Sequence, residues 1–216
     1  SKRLPCPVFI LDDGFQHRRL LRDLDIVLVD GCRSLKAGCV FPRGILREPL
    51  PGLRRSNIVL INNSRDEAIT GRVIDEVRRY HPTAAVFRSR QTIRSLIPFA
   101  AWQEENGTSA AVPSSAFLVA ALGNPERFEQ DVLALGVDVL GKKFCRDHAW
   151  LTPKDWADCI GQARRKGADA IILTEKDAIK LPEPPGFPLL VAVQSTDIAD
   201  AEAFEHAVKQ CIEEWA

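Results

Sequence analysis

Two adjacent carboxylates and a glycine, Asp12-Asp13-Gly14, close the apolar run Val8-Phe9-Ile10-Leu11. The run reads as a buried strand over residues 7–11, and the C-terminal ends of such strands are where open α/β sheets take ligands. Paired oxygen donors there suit a hard divalent cation held beside phosphate oxygens. They equally suit a plain strand-to-loop turn, for which Asp and Gly have backbone preferences. Phe15-Gln16-His17-Arg18-Arg19 follows at once. Arginine grips phosphate oxygens through a planar fork, so a cationic stretch fits beside a metal–phosphate site. Gln16 and His17 would also serve to satisfy the loop backbone.

Further polar constellations lie downstream. Phe41-Pro42-Arg43-Gly44-Ile45-Leu46-Arg47-Glu48-Pro49-Leu50 combines backbone-fixing prolines with Arg43, Arg47 and Glu48, a pattern shared with ordinary salt-bridged surface loops. Gly123-Asn124-Pro125 joins an expected strand to an expected helix, where backbone N–H groups either approach an anion or make a tight turn. It is not a P-loop, because the G-x-x-x-x-G-K-[ST] pattern is absent. Asp147 stands next to His148 and is able to orient it, in a catalytic or a structural pair. Thr174-Glu175-Lys176-Asp177-Ala178 ends the apolar run Ile171-Ile172-Leu173, either to contact a nucleotide or to cap the next helix. No Ser-His-Asp order, zinc pattern or dinucleotide glycine fingerprint occurs.

The elements that must position these residues read as an α/β protein, with short apolar runs alternating with amphipathic segments. Strands are expected at 25–29, 57–61, 85–88, 117–122, 169–173 and 189–193. Helices are expected at 66–80, 125–135, 152–166 and 200–215. Periodicity fades between Ser89 and Ser115, the place for a boundary or linker. The 216 residues are 45% hydrophobic and 27% charged, an ordinary globular composition. Lys+Arg and Asp+Glu both number 29, so no global basic field points to nucleic acid, and an anionic ligand needs a local cation cluster. Six scattered cysteines without a C-x-x-C pair read as reduced core residues of a cytosolic protein. No apolar run approaches the ~20 residues that span a bilayer. The absence of methionine and the start at Ser1-Lys2-Arg3 lead us to expect that the natural N-terminus lies upstream.

Taken together and in order, these segments resemble the tetraacyldisaccharide 4'-kinases, the lipid A kinases of Gram-negative bacteria. The resemblance rests on Ile10 to Arg19, Arg22 to Asp30, Leu46 to Leu50, Gly123 to Phe128, Asp147-His148 and Thr174 to Ala178. It implies a mostly parallel, P-loop NTPase-like sheet with flanking helices and a second, smaller α/β domain. The corresponding division is a kinase core over 1–92, a linker over 93–115 and a C-terminal domain over 116–216. The implied reaction moves the γ-phosphate of ATP to the 4'-hydroxyl of an acylated glucosamine disaccharide 1-phosphate, giving lipid IVA at the cytoplasmic face of the inner membrane.

By the same resemblance, Asp12 and Asp13 organise Mg²⁺, and Gln16 and His17 extend that site. Arg47 and Glu48 act near the phosphates. His148 supports activation of the acceptor hydroxyl, while Thr174, Glu175, Lys176 and Asp177 lie near the nucleotide. The family's Walker A loop, its partner aspartate and its membrane-binding segment precede the carboxylate pair, whereas eleven residues precede Asp12 here. A chain without them would be a non-catalytic nucleotide- or lipid-binding relic. After His148 this sequence reads Ala149-Trp150-Leu151, where the family often has a second polar residue and an aromatic.

Overall fold

The computed structural model describes residues 8–35, 39–44, 46–64, 66–104, 107–146, 149–181 and 186–213. Among the described residues seven strands form: β1 (Ile26–Asp30), β2 (Ile58–Asn62), β3 (Ala85–Pro98), β4 (Ser115–Ala120), β5 (Asp138–Phe144), β6 (Ala170–Thr174) and β7 (Leu189–Ala199). The helices are α1 (Glu67–Tyr80), α2 (Phe99–Gln103), α3 (Pro125–Leu133), α4 (Pro153–Lys166), α5 (Glu175–Ala178) and α6 (Ala201–Glu213). The chain packs as two compact units. One runs up to Gln91 and takes in the chain again from Thr196; the other is Thr92–Ser195.

In the first unit the strand order is β1-β2-β3. All pairs are parallel, with Ile26 opposite Ile58 and Ile58 opposite Ala85. The crossover between β2 and β3 is α1, which starts where the Asp66 side chain accepts from the backbone N–H groups of Ala68 and Ile69. Its apolar stripe, Val73 and Val77, packs with Val59 and Ile61 of β2. The same helix buries Glu76, whose carboxylate accepts from Ser34 Oγ and Leu35 N, both at 2.6 Å, and so pins the loop that leaves β1.

The second unit orders its strands β3-β7-β6-β4-β5, with β7, β6, β4 and β5 mutually parallel. Phe117, Leu118 and Val119 of β4 and Ile171, Ile172 and Leu173 of β6 are all fully buried. Continuous apolar strands of this kind mark a parallel sheet covered on both faces. A Thr152–Asp155 capping box opens α4, and Gly167, at φ 73°, closes it in the left-handed conformation.

Several expectations are corrected. Residues 8–11 are not a buried strand: Phe9 and Ile10 are 71% and 93% exposed, and no described strand pairs with them. Apolar composition makes a strand only when a neighbouring backbone completes its ladder. The stretch expected as a linker carries the second half of β3 and α2; its signal is weak because the buried Ser89, Ile93 and Leu96 are spaced irregularly among Arg88, Arg90 and Arg94. The expected division at 116–216 also differs from the observed units, since α6 counts with the first, where Phe204 meets Phe87 edge-to-face at 5.3 Å. Strand β5 escaped the sequence reading because Gly141-Lys142-Lys143 breaks its apolar run; lysines suit the edge position it occupies. Gly141 is required there, since a Cβ would stand 2.7 Å from the Phe117 ring.

Of the five described cysteines, none in a disulfide, only Cys159 is a core residue. Burial pushes its thiol up to about 11. Cys32 and Cys39 are exposed, which contradicts the core reading for them. No helix among the described residues is long and apolar enough to cross a membrane.

Candidate active site

The carboxylate loop begins at Asp13, whose φ of 50° is left-handed. Asp tolerates that region better than most side chains, but it still costs on the order of 1 kcal/mol or more. The buried Gly14 follows, and a Cβ on it would overlap the Leu11 side chain. Tight turns then form through His17 N to Gly14 O, 3.0 Å, and Leu20 N to His17 O, 3.1 Å. Arg22 ties this loop to the approach to β1. Its Nε and Nη2 donate to Asp25 at 2.7 and 3.1 Å, while Nη1 donates to the His17 carbonyl at 2.6 Å. The Asp25 hydrogen bond holds the Arg22 guanidinium above its ordinary pKa.

A second segment meets the first. The chain closes on itself here through Phe41 N to Leu46 O, 2.9 Å, and Leu46 N to Cys39 O, 3.2 Å. Gly44 allows this because any side chain there would strike the Cys39 backbone. After Pro49, a 3-10 turn over Leu50–Arg55 reverses the chain. The reversal brings Arg55 back onto Glu48, with Nη2 at 2.8 Å from both carboxylate oxygens.

Four contacts join the two segments. Gln16 Nε2 donates to Arg47 O at 2.5 Å, and Arg18 Nη2 donates to Glu48 Oε2 at 3.2 Å. Arg47 Nη1 lies 3.8 Å from Asp13 Oδ2, and the Arg55 guanidinium stacks 4.4 Å above the Phe15 ring. Asp13, Gln16, Arg47 and Glu48 are thus gathered at one place, with Asp12 and His17 exposed on the same loop. An open cleft of about 650 Å³ is lined by Leu11, Gln16, His17, Arg18, Arg19 and Leu20.

Both aspartates offer exposed carboxylates, and Asp13 keeps two-thirds of its side-chain surface despite Arg47. Magnesium is commonly bound by one or two carboxylates together with phosphate oxygens and water, so this donor set fits the ion. Phe15, Arg18 and Arg55 complete the arrangement. Arg18 was legible as a cation beside the carboxylates, whereas Arg55 carried no signal of its own; only the turn residues Pro49, Pro51 and Gly52 hinted that the chain doubles back.

The residues after β6 are placed differently. Thr174 caps α5, and its hydroxyl donates to Asp177 Oδ2 at 2.8 Å. Asp177 is 2% exposed, and the same oxygen accepts from Ala121 N at 3.0 Å. Lys180 Nζ stands 3.5 Å from Asp177 Oδ1 and donates to Ala149 O at 3.3 Å. Glu175 accepts from Gln194 N at 3.3 Å, and Lys176 is half-buried. Asn124 caps α3 by accepting from Arg127 N at 3.3 Å. Asp147 and His148 lie outside the described residues.

The family described as tetraacyldisaccharide-1-P 4'-kinase (LpxK) matches residues 1–213. Among curated relatives, the tetraacyldisaccharide 4'-kinase of Chlorobaculum tepidum is 36% identical over 86% of this chain and 51% of its own length. That of Halothermothrix orenii is 34% identical over 83% of this chain and 50% of its own. The enzyme of Syntrophus aciditrophicus is 32% identical, over 99% of this chain and 59% of its own. The chain thus spans about half the length of the curated relatives it matches. In solved structures, a crystal structure of LpxK from Aquifex aeolicus in complex with ATP shares the fold. Its TM-score is 0.60 at 21% identity, over 92% of this chain and 55% of that one. A profile match over nearly every residue, with relatives above 30% identity, places this chain in the tetraacyldisaccharide 4'-kinase family.

Proposed function

We propose that the protein carrying this chain transfers the γ-phosphate of ATP to the 4'-hydroxyl of a tetraacylated glucosamine disaccharide 1-phosphate, giving lipid IVA and ADP. The observation that carries the reading is the union of the Asp12-Asp13 loop with Arg47 and Glu48 through Gln16 and Arg18, which lie 31 and 30 residues from their partners in sequence. In the transfer, the acceptor oxygen forms its bond to the γ-phosphorus while the bond to the ADP oxygen breaks. The hydroxyl proton leaves the attacking oxygen. Little covalent work is required of the protein, so positioning and charge stabilisation dominate.

Asp12 and Asp13 would hold Mg²⁺, which supplies positive charge beside the phosphoryl oxygens. Arg47 orients Asp13 and, with Arg18 and Arg19 at the cleft, attracts the phosphates. Gln16 and His17 shape the loop next to them. By the family likeness Thr174, Glu175 and Lys176 are assigned to the nucleotide, with the buried Asp177 holding the turn that carries them, and His148 is assigned to the acceptor's proton. An acylated acceptor resides in a membrane, and we assign the enzyme to the cytoplasmic face of the inner membrane as a peripheral protein.

The test is phosphate transfer by the full-length protein. ATP-dependent phosphorylation of the tetraacyldisaccharide, abolished when its 4'-hydroxyl is blocked, is the expected result. ATP turnover indifferent to that hydroxyl would refute the reading.

A further inference from the structure

Arg55 belongs to neither motif that meets in the first unit, yet it touches both. Its Nη2 donates at 2.8 Å to both oxygens of Glu48, and its guanidinium lies 4.4 Å above the Phe15 ring. Its Nε is buried and finds no hydrogen-bond partner among the described residues, so Glu48 and the ring are what hold the group in place. Glu48 in turn keeps only 15% of its side-chain surface. Its other cation, Arg18, reaches it through a single 3.2 Å contact and is 65% exposed, facing the cleft.

A glycine makes the arrangement possible. A Cβ on Gly52 would stand 2.6 Å from Glu48 Oε2 and 3.1 Å from Arg55 Nη1. The carboxylate therefore rests against bare backbone at the point where Arg55 grips it. The next arginine along, Arg54, points elsewhere and donates to the Tyr80 carbonyl at 3.0 Å.

We propose that Arg55 is a positioning residue: seated on Phe15, it fixes the orientation of the Glu48 carboxylate for phosphoryl transfer. The proposal rests on the active-site reading above. Only arginine meets both demands, because its planar fork binds a carboxylate while its face stacks on a ring; lysine offers a hydrated point charge instead. Groups that orient a site residue from behind are commonly worth about 10–100-fold in activity.

The experiment measures kcat and KM in the full-length protein for Arg55→Ala, Arg54→Ala, Glu48→Gln and the Arg55→Ala/Glu48→Gln pair. Arg55→Ala is expected to lose about 10–100-fold in kcat. Added methylguanidinium should restore part of that loss, Arg54→Ala should remain near parental, and the pair should be no slower than Glu48→Gln alone, because coupled residues do not add. Arg55→Ala within about threefold of the parent, or losses that multiply in the pair, would overturn the proposal.

If Arg55→Ala fails to fold, Gly52→Ala takes its place. Gly52 is not left-handed, so the backbone accepts alanine, and the methyl group displaces the Glu48 carboxylate and presses on Arg55 Nη1, breaking the grip while both side chains remain. A parental Gly52→Ala enzyme would overturn the proposal equally. Parental activity in Glu48→Gln would instead overturn the site reading beneath it, which separates the two failures.

Discussion

The two units handle their carboxylates in opposite ways. In the first, Asp12 and Asp13 stand exposed on a loop held by ion pairs and side-chain-to-carbonyl bonds, with Asp13 in a left-handed backbone conformation. In the second, Asp177 is buried and satisfied, tying the residue after β4 to the turn after β6. An exposed carboxylate keeps lone pairs for a ligand and contributes little to stability. A buried, fully bonded one is costly to remove and has little left to offer a ligand. Sequence motifs of similar appearance thus divide between carboxylates left open to a ligand and carboxylates that hold the frame.

Replacing Asp13 by Asn tests the first half of that contrast and should give the largest effect. Asn also tolerates a left-handed φ, so the fold should be retained, with unfolding free energy changed by less than about 0.5 kcal/mol. Turnover should fall on the order of 10³-fold or more, about 4 kcal/mol of transition-state stabilisation. An Asp13→Asn enzyme that turns over normally but melts early would reverse the assignment.

Asp177→Ala tests the second half. It leaves Ala121 N–H and the Thr174 hydroxyl without their acceptor, and Lys180 without its counter-charge. Breaking such a buried set costs about 3 kcal/mol, to be read from denaturant unfolding. Well below the new midpoint, kcat should stay within about tenfold of the parent, because the residue acts through the strand ends rather than on the phosphates. Loss of ATP affinity without loss of stability would move Asp177 back among the nucleotide contacts.

Most of the framework was legible in sequence, and the failures share a cause. Strands β1, β2, β4 and β6, and helices α1 and α4, stand within a residue or two of where apolar runs and caps put them. These are elements whose local pattern and burial agree. Residues 8–11 misled because composition alone does not supply a pairing partner, and β5 because an edge strand is selected for charge. In the site, the carboxylate pair and Arg47-Glu48 were found as motifs. Their union through Gln16 and Arg18 was not, since contacts 31 and 30 residues apart leave no local signal, nor was Arg55, which a 3-10 reversal brings back onto a residue seven positions earlier. Likewise Asp177 read as a ligand-edge carboxylate, because sequence does not show that the Ala121 amide waits for it.

Glu76 sharpens the contrast from within the first unit. It is that unit's own buried carboxylate, 6% exposed, and it holds the loop after β1 as Asp177 holds the loop after β4. Burial, rather than membership of one unit, should then decide which carboxylates are structural. Glu76→Gln keeps the shape and one acceptor oxygen but loses the charge-assisted bonds to Ser34 and Leu35. The expected destabilisation is about 1 kcal/mol, smaller than for Asp177→Ala because an acceptor survives. Thermal unfolding at matched pH measures it, and hydrogen exchange at Leu35 N–H should quicken while Asn62, on the neighbouring strand, stays protected. Should Glu76→Gln instead cut turnover on the order of 10³-fold with stability unchanged, burial would no longer separate the two classes, and the loop after β1 would have to be counted with the phosphate site.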